Sequence, residues 1–98
     1  MGSIVFILKL INNKYYVGST NNIYSTFQQL FSPNVNNKWL KMYKPLYVHK
    51  VVYNCNQDDE HTYLLDYIDK YGLDNVRGHT FDSTTYEKEL MKEIKKKL

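Results

Sequence analysis

Residues 4–11, Ile-Val-Phe-Ile-Leu-Lys-Leu-Ile, form an apolar run rich in strand formers, and Lys14-Tyr15-Tyr16-Val17-Gly18 form a second. Asn12-Asn13 separates the two. Asn tolerates positive φ, so a two-residue Asn-Asn loop between strand formers predicts a β-hairpin. Ser19-Thr20-Asn21-Asn22 then breaks the pattern with capping residue types. Ile23, Phe27, Leu30 and Phe31 recur at helical spacing and predict a short helix over about 22–31, ended by Ser32-Pro33.

Residues 35–43 predict a second helix, with Val35, Trp39, Leu40 and Tyr43 on one side and Lys38, Lys41 and Lys44 on another; Pro45 breaks it. Residues 46–53, rich in Val and Tyr, predict a third strand. After a turn at 54–57, Asp58 or Asp59 caps a helix whose inward stripe is Tyr63, Leu64, Tyr67, Ile68 and Tyr71. Gly72 stands where a left-handed helix stop is expected. Residues 73–81 read as loop or short strand. Thr84-Thr85-Tyr86-Glu87 matches a capping box and opens a last helix with Tyr86, Leu90, Met91 and Ile94 inward. The order β-β-α-α-β-α-α predicts a small α/β (α+β) fold: one three-stranded, mainly antiparallel sheet flanked by helices. The domain is expected over 4–81, with a C-terminal helix and Lys-rich tail over 82–98.

A length of 98 residues fits one domain with a modest core. At 43% apolar and 23% charged residues, the composition is globular. No apolar run is long enough for a transmembrane helix, and the N-terminus lacks a signal-peptide pattern. The single cysteine, Cys55, excludes an internal disulfide and a Cys-based zinc cluster. An intracellular protein, in cytoplasm or nucleus, is the expectation. The net charge of +3 permits contact with nucleic acid. The 13 basic residues are twelve Lys and one Arg, Arg77. His49, His61 and His79 lack metal-ligand spacing. The Asn, Lys, Tyr and Ile bias suggests an AT-rich genome and limits the weight any one of the ten Tyr carries.

One local pattern is distinctive: an apolar strand, a tight turn, then Tyr16-Val17-Gly18-Ser19-Thr20-Asn21-Asn22 leading into a helix. Here the chain resembles the GIY-YIG nuclease family. Tyr16-Val17-Gly18 matches the second signature, and Ile4-Val5-Phe6 is a degraded form of the first. The resemblance runs through the strand at 46–53 and the acidic helix start at Glu60. It also takes in Gly72-Leu73-Asp74-Asn75-Val76-Arg77-Gly78, which looks like a segment of some family members, large-virus ones among them.

The resemblance implies a GIY-YIG-like domain and single-metal phosphodiester hydrolysis. In that chemistry a Glu holds one Mg²⁺ or Mn²⁺ ion, Tyr hydroxyls orient or deprotonate the attacking water, a helix Arg stabilises phosphate charge, and an Asn supports the site. Tyr16, Glu60 and Asn75 match the Tyr, the metal Glu and the Asn. Phe6 replaces the first signature tyrosine and lacks its hydroxyl. Thr26 stands where the family has its helix arginine, and Leu30 where a histidine is often found. Losing one preorganised donor costs about 10²–10³ in rate, and a phosphate-stabilising Arg is worth roughly 10³–10⁵ in other phosphoryl-transfer enzymes. Thr cannot make the bidentate, charge-assisted contact of Arg. Impaired or lost catalysis is therefore expected, unless another cation substitutes.

Lys14, Lys38, Lys41 and Arg77 are the candidate nucleic-acid contacts. The implied partner is nucleic acid, DNA before RNA, with a protein partner able to supply specificity. The alternatives are an active divalent-metal endonuclease and a protein-interaction module. Most candidates also have a plain structural reading: Tyr16 as a packed strand residue, Glu60 as a first-turn acid favoured by the helix dipole, Asn75 as a turn residue, Arg77 as a surface or structural arginine, and Lys38, Lys41 and Lys44 as a solvated helix face.

Overall fold

The computed structural model describes residues 3–56 and 58–78. Strand β1 (Ser3–Leu10) and strand β2 (Tyr15–Thr20) form the hairpin, joined through the turn at Ile11–Asn13. Asn12 and Asn13 have φ of 60° and 58°, as a hairpin turn of the mirror-image type requires. The Leu10 amide donates to the Lys14 carbonyl at 2.8 Å, while the Ile11 amide donates to the Lys44 carbonyl at 3.0 Å. Ile11 thus ties the hairpin turn to the chain entering the third strand.

Helix α1 (Ile23–Leu30) starts at Asn22, whose side chain accepts the Ser25 amide. Helix α2 (Lys38–Met42) is shorter than the 35–43 expected from periodicity. Asn37 supplies the reason: its side chain accepts the Leu40 amide and starts the helix there. Strand β3 (Pro45–Cys55) and helix α3 (Asp59–Tyr71) follow. The start of α3 is bracketed by Asn56 and Asp59. The Asn56 side chain accepts the amides of Asp58 and Asp59, and Asp59 accepts the amide of Asn56 at 2.8 Å. Neither Asp58 nor Asp59 is the side-chain cap that the sequence suggested. Gly72 ends α3 with φ of 96°.

The sheet has four strands, not three. Strand β4 (Val76–Gly78) runs parallel to β2, so the order is β3-β1-β2-β4 and the sheet is mixed. The segment read as loop or short strand is a strand because β2 otherwise leaves an unpaired edge. The final helix and tail, expected over 82–98, lie outside the described residues.

Alternation along β1 sends its side chains to two separate cores. Val5 and Ile7, with Tyr15 and Val17 of β2, pack against Leu64, Tyr67 and Ile68 of α3. Phe6, Leu8 and Leu10, with Tyr16, pack against Val35, Trp39 and Leu40 on the opposite face. The inward stripe expected for α3 holds at its centre, with Tyr63 and Tyr71 only half-buried. The result is a small α+β unit with helices on both faces of the sheet. Among the described residues, no helix is long and apolar enough to cross a membrane.

Candidate functional site

Phe6 and Tyr16 share the face covered by α1 and α2. In the β1–β2 register Phe6 lies opposite Gly18 and Leu8 opposite Tyr16, which makes Phe6 and Tyr16 diagonal neighbours. Their ring centroids are 6.3 Å apart. The missing side chain at Gly18 makes room for the Phe6 ring. Phe27 of α1 closes over Phe6 edge-on at 5.2 Å. Phe6 and Tyr16 are therefore adjacent, but Phe6 is only 1% exposed and sits in an apolar aromatic cluster. A ring with no hydroxyl fits such a place without leaving a buried polar group to be paired.

Thr26 lies one helical turn into α1, where its amide donates to the Asn22 carbonyl. Its hydroxyl is 2.6 Å from that of Thr20, the last residue of β2. The position where the family resemblance puts an arginine thus fastens the strand to the helix that follows it.

Arg77 reaches the same face as Tyr16, its register partner across the β2–β4 pair. Its guanidinium stacks 4.6 Å from the Trp39 ring centroid and donates to the carbonyls of Leu73 and Val76. Arg77 is 1% exposed. Arg77, weighed from sequence as a phosphate contact or a structural arginine, is thus buried and engaged by these groups. An arginine has five donors and a flat face, and here they hold the 73–76 turn and the α2 tryptophan. Trp39 completes the arrangement by donating from its indole nitrogen to the Tyr15 carbonyl at 2.9 Å.

Lys14 and Asn75 are brought together, but by each other. The Lys14 ammonium donates to Asn75 Oδ1 at 2.8 Å and to the Asp74 carbonyl at 3.2 Å, and lies over the Tyr43 ring. Asn75 Nδ2 donates to the Tyr71 carbonyl at 2.7 Å. The Asn75 backbone bonds Gly72 on one side and Tyr15 on the other. Both side chains thus join the end of α3 to the hairpin. Lys38 and Lys41 do project to solvent from α2, as does Lys44 just beyond it.

Glu60 opens α3, the helix on the opposite face from Phe6 and Tyr16. It is 5% exposed, and its Oε1 is buried with no hydrogen-bond partner. A buried polar oxygen left so is costly unless something satisfies it. Among the described residues, no group of three or more His, Cys, Asp or Glu side chains gathers to hold a metal. A carboxylate oxygen is the donor type that a hard divalent cation takes.

Sequence reasoning missed a tyrosine cluster on the α3 face. Tyr15 stacks on Tyr71 at 4.3 Å, with Tyr67 and His49 edge-on to it, and Lys9 donates to the Tyr15 hydroxyl at 2.9 Å. The Tyr71 phenol is raised above its ordinary range, first by its hydrogen bond with Tyr15 and then by burial. Tyr67 is raised mainly by burial, with Tyr71 adding to it. The alternation that places Tyr15 and Tyr16 on opposite faces was the available signal.

No protein-family model, curated protein or solved structure matches the chain.

Proposed function

We propose that the chain is a GIY-YIG-like domain that binds nucleic acid, DNA before RNA, with its phosphodiester hydrolysis impaired or lost. The order of elements supports the reading: a Tyr-Val-Gly hairpin strand runs into α1, β1 is flanked by β2 and β3, and an acidic residue opens α3. The observation that carries the impairment is the burial of Arg77. The chain has one arginine, and it is held by two carbonyls and an indole ring. Thr26 offers a neutral hydroxyl already shared with Thr20.

Glu60 would hold a Mg²⁺ or Mn²⁺ ion, whose positive charge would offset that of a phosphodiester. Tyr16 retains the hydroxyl of the second signature position, but it lies on the sheet face opposite α3 and Glu60, and this separation adds to the impairment. Lys38, Lys41 and Lys44 supply the exposed charge for phosphate contact.

An active endonuclease is the alternative; Arg77 is the register partner of Tyr16, but its guanidinium is engaged by two carbonyls and an indole ring. Restoring the two lost groups together, Phe6→Tyr with Thr26→Arg, tests the first. If the double variant folds and nicks plasmid in Mg²⁺ while the parent does not, the losses explain the silence. A folded double variant that stays inactive would remove that explanation.

A further inference from the structure

Two hollows adjoin on the α1–α2 side of the molecule. The larger, about 490 Å³, has Tyr16, Gln29, Asn34, Asn36 and Asn37 in its lining. The smaller, about 290 Å³, has Phe31, Lys41 and Lys44. Ser32 and Val35 line both, so the two hollows adjoin.

Their chemistries differ. The larger hollow presents four side-chain amides and no charged group. Asn37 spends its oxygen on the α2 cap, but the amides of Gln29, Asn34 and Asn36 bond no side chain or backbone group among the described residues. Each offers both donors and an acceptor. Neutral amides in this number match the edge of a nucleobase, which also mixes donors and acceptors. The smaller hollow pairs two ammonium groups with Phe31, which is 41% exposed and can stack on a neighbouring base.

We infer that this double hollow binds single-stranded nucleic acid, with one unpaired base in the amide-lined part and the flanking phosphates on Lys41 and Lys44. The inference rests on the nucleic-acid reading above and narrows its substrate class. A base inside a duplex cannot enter a hollow, so an unpaired strand is the form that fits.

Fluorescence anisotropy with a short unstructured single-stranded oligonucleotide, and with a duplex of equal length, tests it. The single strand should bind more tightly. Asn34→Ala with Asn36→Ala, both exposed, should weaken single-strand binding by about tenfold, from two lost hydrogen bonds, and leave duplex binding unchanged. Lys41→Gln with Lys44→Gln should weaken both and lower the slope of log affinity against log salt by about 1.4 for the single strand. Single-strand binding within twofold of the parent in the Asn34/Asn36 variant would overturn the inference. So would equal affinity for the two forms. Failure of the parent to bind either form at low salt would overturn the nucleic-acid reading itself, and this inference with it.

Discussion

Gly18 lies across the hairpin from Phe6, and a Cβ at position 18 would stand 2.5 Å from Phe6 Cζ. The ring cannot simply swing aside, because Phe27 and Tyr16 pack against it and it is almost wholly buried. Gly18→Ala should therefore lower stability by about 1–3 kcal/mol, the usual cost of overpacking. Phe6→Leu in the same chain should return part of that loss. Urea unfolding of the two variants checks both statements. If Gly18→Ala alone leaves the midpoint unchanged, the contact does not constrain the fold.

Arg77 should prove a stability residue. Arg77→Ala leaves the Leu73 and Val76 carbonyls without their donors and removes the partner of the Trp39 ring. A loss of about 3 kcal/mol is expected, from hydrogen bonds to a charged group and the stacked cation. Chemical denaturation measures it. Arg77→Lys should recover little, since one ammonium cannot serve a flat ring and two carbonyls together.

Asn75 and Lys14 should couple. Asn75→Ala removes the bond to the Tyr71 carbonyl and the acceptor for Lys14, at a cost of about 1–2 kcal/mol. In a double-mutant cycle, Lys14→Met should cost less once Asn75 is already Ala. Additive effects would show that the 2.8 Å contact contributes nothing by itself.

Alkaline pH should unfold the protein through its tyrosine cluster. Tyr67 and Tyr71 are both raised above the ordinary tyrosine value near 10. A phenol whose folded pKa lies above its unfolded one favours the folded state fully below the unfolded value. That contribution is lost as pH climbs above about 10, because the unfolded chain ionises first. Melting temperature should hold below that point on this account and fall beyond it, with Tyr67→Phe showing a shallower fall. An identical decline in the variant would separate Tyr67 from the effect.

Much of the fold was legible in residue patterns because the signals were local. Asn12-Asn13 marked the hairpin turn, Asn22 the start of α1, and Gly72 the end of α3, each through its own backbone or capping preference. Strand β4 was ambiguous because three residues with an arginine at the centre carry no alternation, and only the free edge of β2 makes them a strand. The length of α2 was overestimated because Val35 keeps the apolar spacing although Asn37 starts the helix. At the candidate site, the departures from the resemblance at Phe6 and Thr26 were readable as identities. The fate of Arg77 was not, since its partners Trp39 and Leu73 meet it only through the sheet and the turn. The buried, unpaired oxygen of Glu60 was likewise invisible, because first-turn acids are commonly solvated.

The central claim is that this domain holds nucleic acid without cutting it. A native agarose gel of supercoiled plasmid, incubated with the protein in low salt and Mg²⁺ or Mn²⁺, reads both properties at once. Retarded plasmid that remains supercoiled after the protein is stripped is the predicted result. Conversion to open circle by the parent but not by Glu60→Ala would contradict the impairment, and unretarded plasmid would contradict binding to DNA.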